Sequence, residues 1–140
     1  MPVSFHYQLP SIRIRHKKKI IDWLLIVAFI EKKEIEQIDF VFCYDSFLFS
    51  LNKKFLHHNT YTDVLTFDYS KDKKIISEIY LSTPRVKENA KTLATSFANE
   101  LYRVMLHGLL HCLGYDDRSK SAQMKMRKKE DEYLQLLSEM

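Results

Sequence analysis

The sequence predicts an α+β fold: a mixed sheet of about four strands covered by helices, with one central buried helix. Three observations carry this expectation. Runs of β-formers and helical runs follow one another in the order strand, helix, strand, helix, strand, strand, and then helices alone. The chain has 140 residues, 46% of them apolar and 29% charged, which suits one domain spanning residues 1–140 with a core of useful size. One stretch, Val104 to Leu113, is apolar nearly all round, as a helix in the middle of a domain must be.

The elements follow in order. Ser4 to Leu9 alternates in part and predicts an edge strand, ended by Pro10. Lys17 to Ile30 has the length and composition of a helix with charged flanks. Ile38 to Tyr44 is rich in β-formers. Asp45 or Ser46 is suited to cap a short helix running to about Phe55. Thr62 to Tyr69 and Ser77 to Ser82 predict two strands joined by the turn Lys71-Asp72-Lys73-Lys74, whose lysines also guard an edge. Thr83-Pro84 reads as an N-cap with proline at the first helical position, opening a helix to about Thr95. Phe97 to Leu113 is the next helix, and Ser119 or Ser121 starts a charged one toward Leu137. Repeats, linkers and low-complexity tracts are lacking.

Composition excludes several classes. The longest apolar stretch, Ile20 to Ile30, is interrupted by Asp22 and falls short of the roughly 20 residues a membrane span needs. No small-residue cleavage site follows the basic run Arg13 to Lys19, so the segment is expected to be a buried helix and not a leader. Cys43 and Cys112 lie far apart in apolar runs, which suits a reduced, cytoplasmic protein. Glycine is scarce: Gly108 and Gly114 are the only two, against about ten at ordinary usage. That excludes glycine-rich phosphate loops and dinucleotide fingerprints. A net charge of +4 is compatible with a nucleic-acid partner without establishing one.

The chemistry concentrates in the apolar helix. His107 and His111 stand at i, i+4, about 40° apart and about 6 Å along the axis, and so face one way. Two imidazoles so placed suit one metal ion. Gly114 follows the last apolar residue, where a left-handed helix end favours glycine, and Tyr115, Asp116 and Asp117 come next. On a continued helix Asp117 would lie about 240° around from His111. A break at Gly114 lets the chain turn back and offer a carboxylate to the same metal. Two histidines, one carboxylate and an open fourth position describe a catalytic zinc site. Gly108 leaves the helix bare beside His107, where a substrate or another backbone can approach. In the metalloprotease pattern His-Glu-x-x-His the residue after the first histidine is the general base. Glycine at 108 argues against a peptidase. A lone buried histidine is more often a core residue than a ligand; the pair, the glycine and the acids together favour metal. His6, His16, His57 and His58 are weaker candidates, better suited to the surface.

The run His107-Gly-Leu-Leu-His111-Cys-Leu-Gly114-Tyr115-Asp116-Asp117 resembles the signature of the bacterial YbeY family, His-Gly-x-Leu-His-x-x-Gly-Tyr-Asp-His. Further similarities lie upstream in the right order: Leu51-Asn52, Thr62-Asp63-Val64-Leu65-Thr66-Phe67, and Glu78-Ile79-Tyr80-Leu81-Ser82. The resemblance covers roughly residues 35 to 137. It implies a metal-dependent, single-strand-specific endoribonuclease that matures small-subunit ribosomal RNA at its 3′ end and serves ribosome quality control. It also implies one zinc ion held by three motif positions. His107 and His111 inherit two of these, and Asp117 replaces the third histidine with another good zinc ligand. The family often carries an arginine after an aromatic downstream of Leu-Asn; here Leu56 follows Phe55, leaving Arg103, His57 and His58 to face phosphate. The family's Gly-Asp is Ser77-Glu78 in this chain.

The expected reaction is metal-assisted cleavage of an RNA phosphodiester, with the metal polarising a phosphoryl oxygen, activating a water, or both. Arg103, Asp63 and Thr66 are the expected substrate contacts, and Asp116 is expected to support the site from behind the ligands. The basic clusters Arg13 to Lys19, Lys53-Lys54, Arg85 to Lys91 and Lys125 to Lys129 can bind phosphates or serve as solvated faces. Glu130-Asp131-Glu132 would weaken a phosphate-binding field near the last of these. Two other functions share the site: a metallohydrolase of peptides or small molecules, and a ribosome-assembly binder whose metal only stabilises the fold.

Overall fold

A computed structural model of the chain describes residues 1–56 and 62–140. His57 and His58 therefore lie outside the described residues. The elements are β1 (Val3–Tyr7), α1 (Lys17–Ile30), β2 (Glu34–Cys43), α2 (Asp45–Leu56), β3 (Val64–Asp68), β4 (Lys74–Ser82), α3 (Thr83–Thr92), α4 (Phe97–Cys112) and α5 (Lys120–Ser138). The four strands form one mixed sheet in the order β1-β2-β4-β3. β1 and β4 run parallel to β2, whereas β3 pairs antiparallel with β4. β1 is an edge strand, as its short alternating sequence predicts.

Alternation sorts the strands between two packed faces. Ile38, Phe40 and Phe42 of β2 and Ile79 and Leu81 of β4 join the large core with α1, α4 and α5. Cys43, Leu48 and Leu65 form a smaller cluster with Leu51, Phe67 and Tyr80 beneath α2. Trp23 of α1 is fully buried, and its indole N–H donates to the Tyr133 carbonyl of α5 at 2.8 Å, so the polar edge of this ring is satisfied inside the core. Both cysteines are free and buried, and burial pushes each thiol up to about 12.

Several boundaries differ from expectation. β2 begins at Glu34, before Ile38, because Glu34 and Glu36 point outward around buried Ile35, and Glu34 meets Lys74 of β4 at 3.5 Å. Lys74 accordingly belongs to β4 and not to the turn. The N-cap of α3 is Ser82, whose hydroxyl accepts from the Arg85 N–H, which moves Pro84 to the second helical position; the helix stops at Thr92. Asp45 is the first residue of α2, and its carboxylate is spent on Ser82 and Arg85 and not on a cap. α4 and α5 are capped by Ser96 and Ser119, each accepting a backbone N–H three residues on.

Candidate metal centre

α4 crosses the sheet with its apolar side against β3 and β4. Gly108 sits at the closest approach: a β-carbon there would stand 2.8 and 2.9 Å from Ile79 Cγ2 and Cδ1 and 3.3 Å from Thr66 Oγ1. The bare helix surface at Gly108 thus admits the sheet, through the side chains of Ile79 and Thr66, so of the two expected approaches it is the chain itself and not a substrate that comes close. Thr66 packs in that same contact, outside the lining of the cavity where His107 lies.

His107 and His111 project from the helix face next to this seat, about 100° and 60° around from Gly108. Their rings meet nearly edge to face, with Nε2 of each 3.0 Å from the other. The chain then breaks as the glycine predicts: Gly114 adopts φ 102°, and Tyr115 N–H returns to the Leu110 carbonyl. The turn brings Asp117 Oδ2 to 3.6 Å from His107 Nε2. One ligand atom from each of His107, His111 and Asp117 lies within 4.8 Å of the others. Two imidazole nitrogens and one carboxylate oxygen converging on a point fit a zinc-type donor set, with further positions left for solvent or substrate. Asp116 is placed differently: its Oδ1 accepts the Arg118 N–H, which shapes the turn and leaves Asp117 as the carboxylate in the cluster.

The turn is anchored from α1. Glu31 accepts the Tyr115 hydroxyl at 2.9 Å on one carboxylate oxygen and the Tyr133 hydroxyl on the other. Lys129 stands 3.8 Å from the same carboxylate. The tyrosine beside the aspartates therefore holds the loop to the body of the molecule. Burial and then Glu31 push the hydroxyls of both Tyr115 and Tyr133 up from the usual tyrosine value.

A cavity of about 360 Å³ opens beside the cluster, lined in part by Asp63, Arg103, His107, Asp117, Arg127 and Glu130. The fold thus brings together Asp63, Arg103, His107 and Asp117 from the predicted set. Asp63 precedes β3 and accepts Asn89 Nδ2 at 3.0 Å; burial raises its pKa, against the pull of His107. Arg103 is occupied, with Nη1 at 3.1 Å from both Glu130 Oε1 and Asp131 Oδ1 and Nε at 3.7 Å from Glu100. Glu130 Oε2 lies 2.7 Å from His107 Nδ1. Burial opposes protonation of His107, but the Glu130 carboxylate outweighs it and the pKa rises. Burial, and then the neighbouring His107, lower that of His111.

Sequence reasoning missed Glu130, reading it as part of a surface acidic run. The signal was its position: Met126, Glu130, Tyr133 and Leu137 are the buried residues of α5, spaced four, three and four apart. A carboxylate on such an apolar stripe needs a partner inside the molecule. Glu100, buried beside Arg103, was missed for the same reason. The other basic clusters hold fewer open cations than their sequence suggests. Arg85 pairs with Asp45, Lys129 reaches Glu31 and Glu132, and Arg13 stacks over the Tyr7 ring.

A family model for endoribonuclease YbeY matches residues 6–138. The chain belongs to the YbeY family. An endoribonuclease YbeY from Flavobacterium psychrophilum is 42% identical over 134 residues, covering 96% of this chain and 95% of that one. Another, from Amoebophilus asiaticus, is 46% identical over 132 residues, covering 94% and 86%. A solution structure from Thermotoga maritima shares the fold, with a TM-score of 0.66 and 24% identity over 96% of this chain and 88% of its own. No helix among the described residues of this YbeY chain is long and apolar enough to cross a membrane.

Proposed function

We propose that this chain is a zinc-dependent endoribonuclease, a hydrolase of RNA phosphodiesters that matures small-subunit ribosomal RNA at its 3′ end and takes part in ribosome quality control. The observation that carries the reading is the convergence of His107, His111 and Asp117 beside a cavity that His107 and Asp117 help to line, in a YbeY chain. His107, His111 and Asp117 hold one zinc ion per chain. Zinc in that place supplies Lewis-acid polarisation of a phosphoryl oxygen. Asp63, half-buried in the cavity wall and steadied by Asn89, contacts the substrate. Arg103 and Arg127 make the wall electrostatically tolerant of phosphate, although Arg103 is already shared among three carboxylates. The protein works as one domain in the cytoplasm, on ribosomal RNA and the small ribosomal subunit.

The lining of the cavity, with Asp63, Glu100, Asp117 and Glu130 facing Arg103 and Arg127, is charged and disfavours an apolar peptide side chain. The test is to incubate zinc-loaded protein with single-stranded and structured RNA, beside His111→Ala and heat-denatured protein. Cleavage of the single strand by the native protein alone is expected, with about one zinc per chain by elemental analysis. Equal cleavage by His111→Ala, or RNA binding without cleavage, overturns the assignment; the second outcome selects the assembly-factor alternative.

A further inference from the structure

We propose that Glu130, held by Arg103, is a positioning residue that fixes the ring of His107 with Nδ1 protonated and Nε2 turned to the metal. The inference rests on the three-ligand reading above. A carboxylate offers only acceptor oxygens, so its 2.7 Å contact with Nδ1 requires the proton on that nitrogen. Nε2, across the ring, is the atom that joins His111 and Asp117. Glu130 thus lies on the far side of the imidazole from the cluster and is not one of its ligands.

The carboxylate is itself fixed. Its side chain is 6% exposed, and its second oxygen takes Arg103 Nη1 at 3.1 Å. Arg103 cannot swing away freely, because Asp131 shares the same Nη1 at 3.1 Å and Glu100 stands 3.7 Å from its Nε. Burying an acid on the apolar stripe of α5 is costly unless every oxygen is engaged. The chain meets that cost at the position that meets the first histidine. A network reaching from α4 to α5 and back sets one ring in one tautomer before any metal arrives. Arg103 accordingly serves the site through Glu130 and not as the phosphate contact its sequence position suggested.

The test compares zinc affinity, by competition with a chromophoric chelator, for the native chain, Glu130→Gln and His107→Ala, each checked for its melting transition. Glu130→Gln is expected to lose about 10–100-fold in zinc affinity, because an amide can present its N–H to Nδ1 and favour the wrong tautomer. Glu130→Asp, which restores the charge, is expected to recover part of the loss. Native affinity in Glu130→Gln, with affinity lost in His107→Ala, overturns the positioning role alone. Native affinity in His107→Ala overturns the ligand reading on which it stands. Should Glu130→Gln not fold, long-range nitrogen–proton spectra of the zinc-loaded native chain decide. They are expected to show a proton on Nδ1 of His107 and none on Nε2, and the reverse pattern refutes the proposal.

Discussion

Arg85 with Asp45 and Arg103 with Glu130 are both arginine–carboxylate pairs that join helices, yet they do different work. The first sits where β2 and β4 end. Arg85 Nε and Nη2 meet the two oxygens of Asp45 at 3.0 and 2.9 Å, a forked pair whose side chains are 35% and 27% exposed. Both oxygens of Asp45 are engaged by Arg85, with Ser82 as a further donor, so the carboxylate is closed. The second is buried between α4 and α5. Arg103 takes only one oxygen of Glu130 and leaves the other for His107. A closed pair fixes the backbone around it. An open pair passes its order on to a third group, here a residue of the candidate site.

The strongest way to break the comparison is to remove each carboxylate. Glu130→Ala takes one partner each from the half-buried Arg103, which keeps Glu100 and Asp131, and from the half-buried His107, and is expected to cost about 3 kcal/mol in denaturant melts of metal-free protein. Displacing α4 from the sheet is next. In Gly108→Ala the new methyl overlaps Ile79, with an expected cost of about 1–3 kcal/mol and weakened zinc binding, because both histidines ride on that helix. Gly114→Ala meets no atom within 4 Å, so its penalty is confined to the backbone at φ 102°. We expect about 1–2 kcal/mol by thermal melting, with the loss of zinc affinity falling on the Asp117 side of the site. The smallest effect is at the closed pair: Asp45→Asn is expected to cost about 1 kcal/mol or less, since the pair is partly screened by solvent.

The two arrangements also differ in the sign of their pH dependence. In metal-free protein the raised pKa of His107 makes its contribution complete below about pH 6.5, and the contribution fades as pH rises through the folded value. Asp45, lowered by its hydrogen bond to Arg85, contributes fully above about pH 3.9 and loses its share as pH falls through the folded value. Stability measured against pH should therefore lose its alkaline decline in Glu130→Ala and its acid decline in Asp45→Asn. An unchanged profile in either variant removes that pair from the account.

Much of this was legible before any coordinates. Period and composition placed α1 on its observed residues, Lys17–Ile30, and Ser119, one of the two serines offered for the start of α5, caps it. Gly114 announced both the helix end and the return of an acid to the histidines. The reading faltered where a residue's meaning depends on what packs against it. Glu34 looked like a helix flank and Lys74 like a turn charge until strand pairing set them side by side.

What the sequence determined by itself is local: the histidine pair on one helix face, the break after it, and the donors that follow. These depend on spacings of a few residues, and helix geometry fixes them wherever the helix lies. Only the tertiary structure decided the strand order, with β4 inserted between β2 and β3, and the role of Gly108. It also chose Asp117 over Asp116 for the cluster and put Glu130 behind His107, 23 residues away along the chain. Such pairings are set by which buried surfaces fit together, and a buried polar group takes its function from the partner that packing supplies.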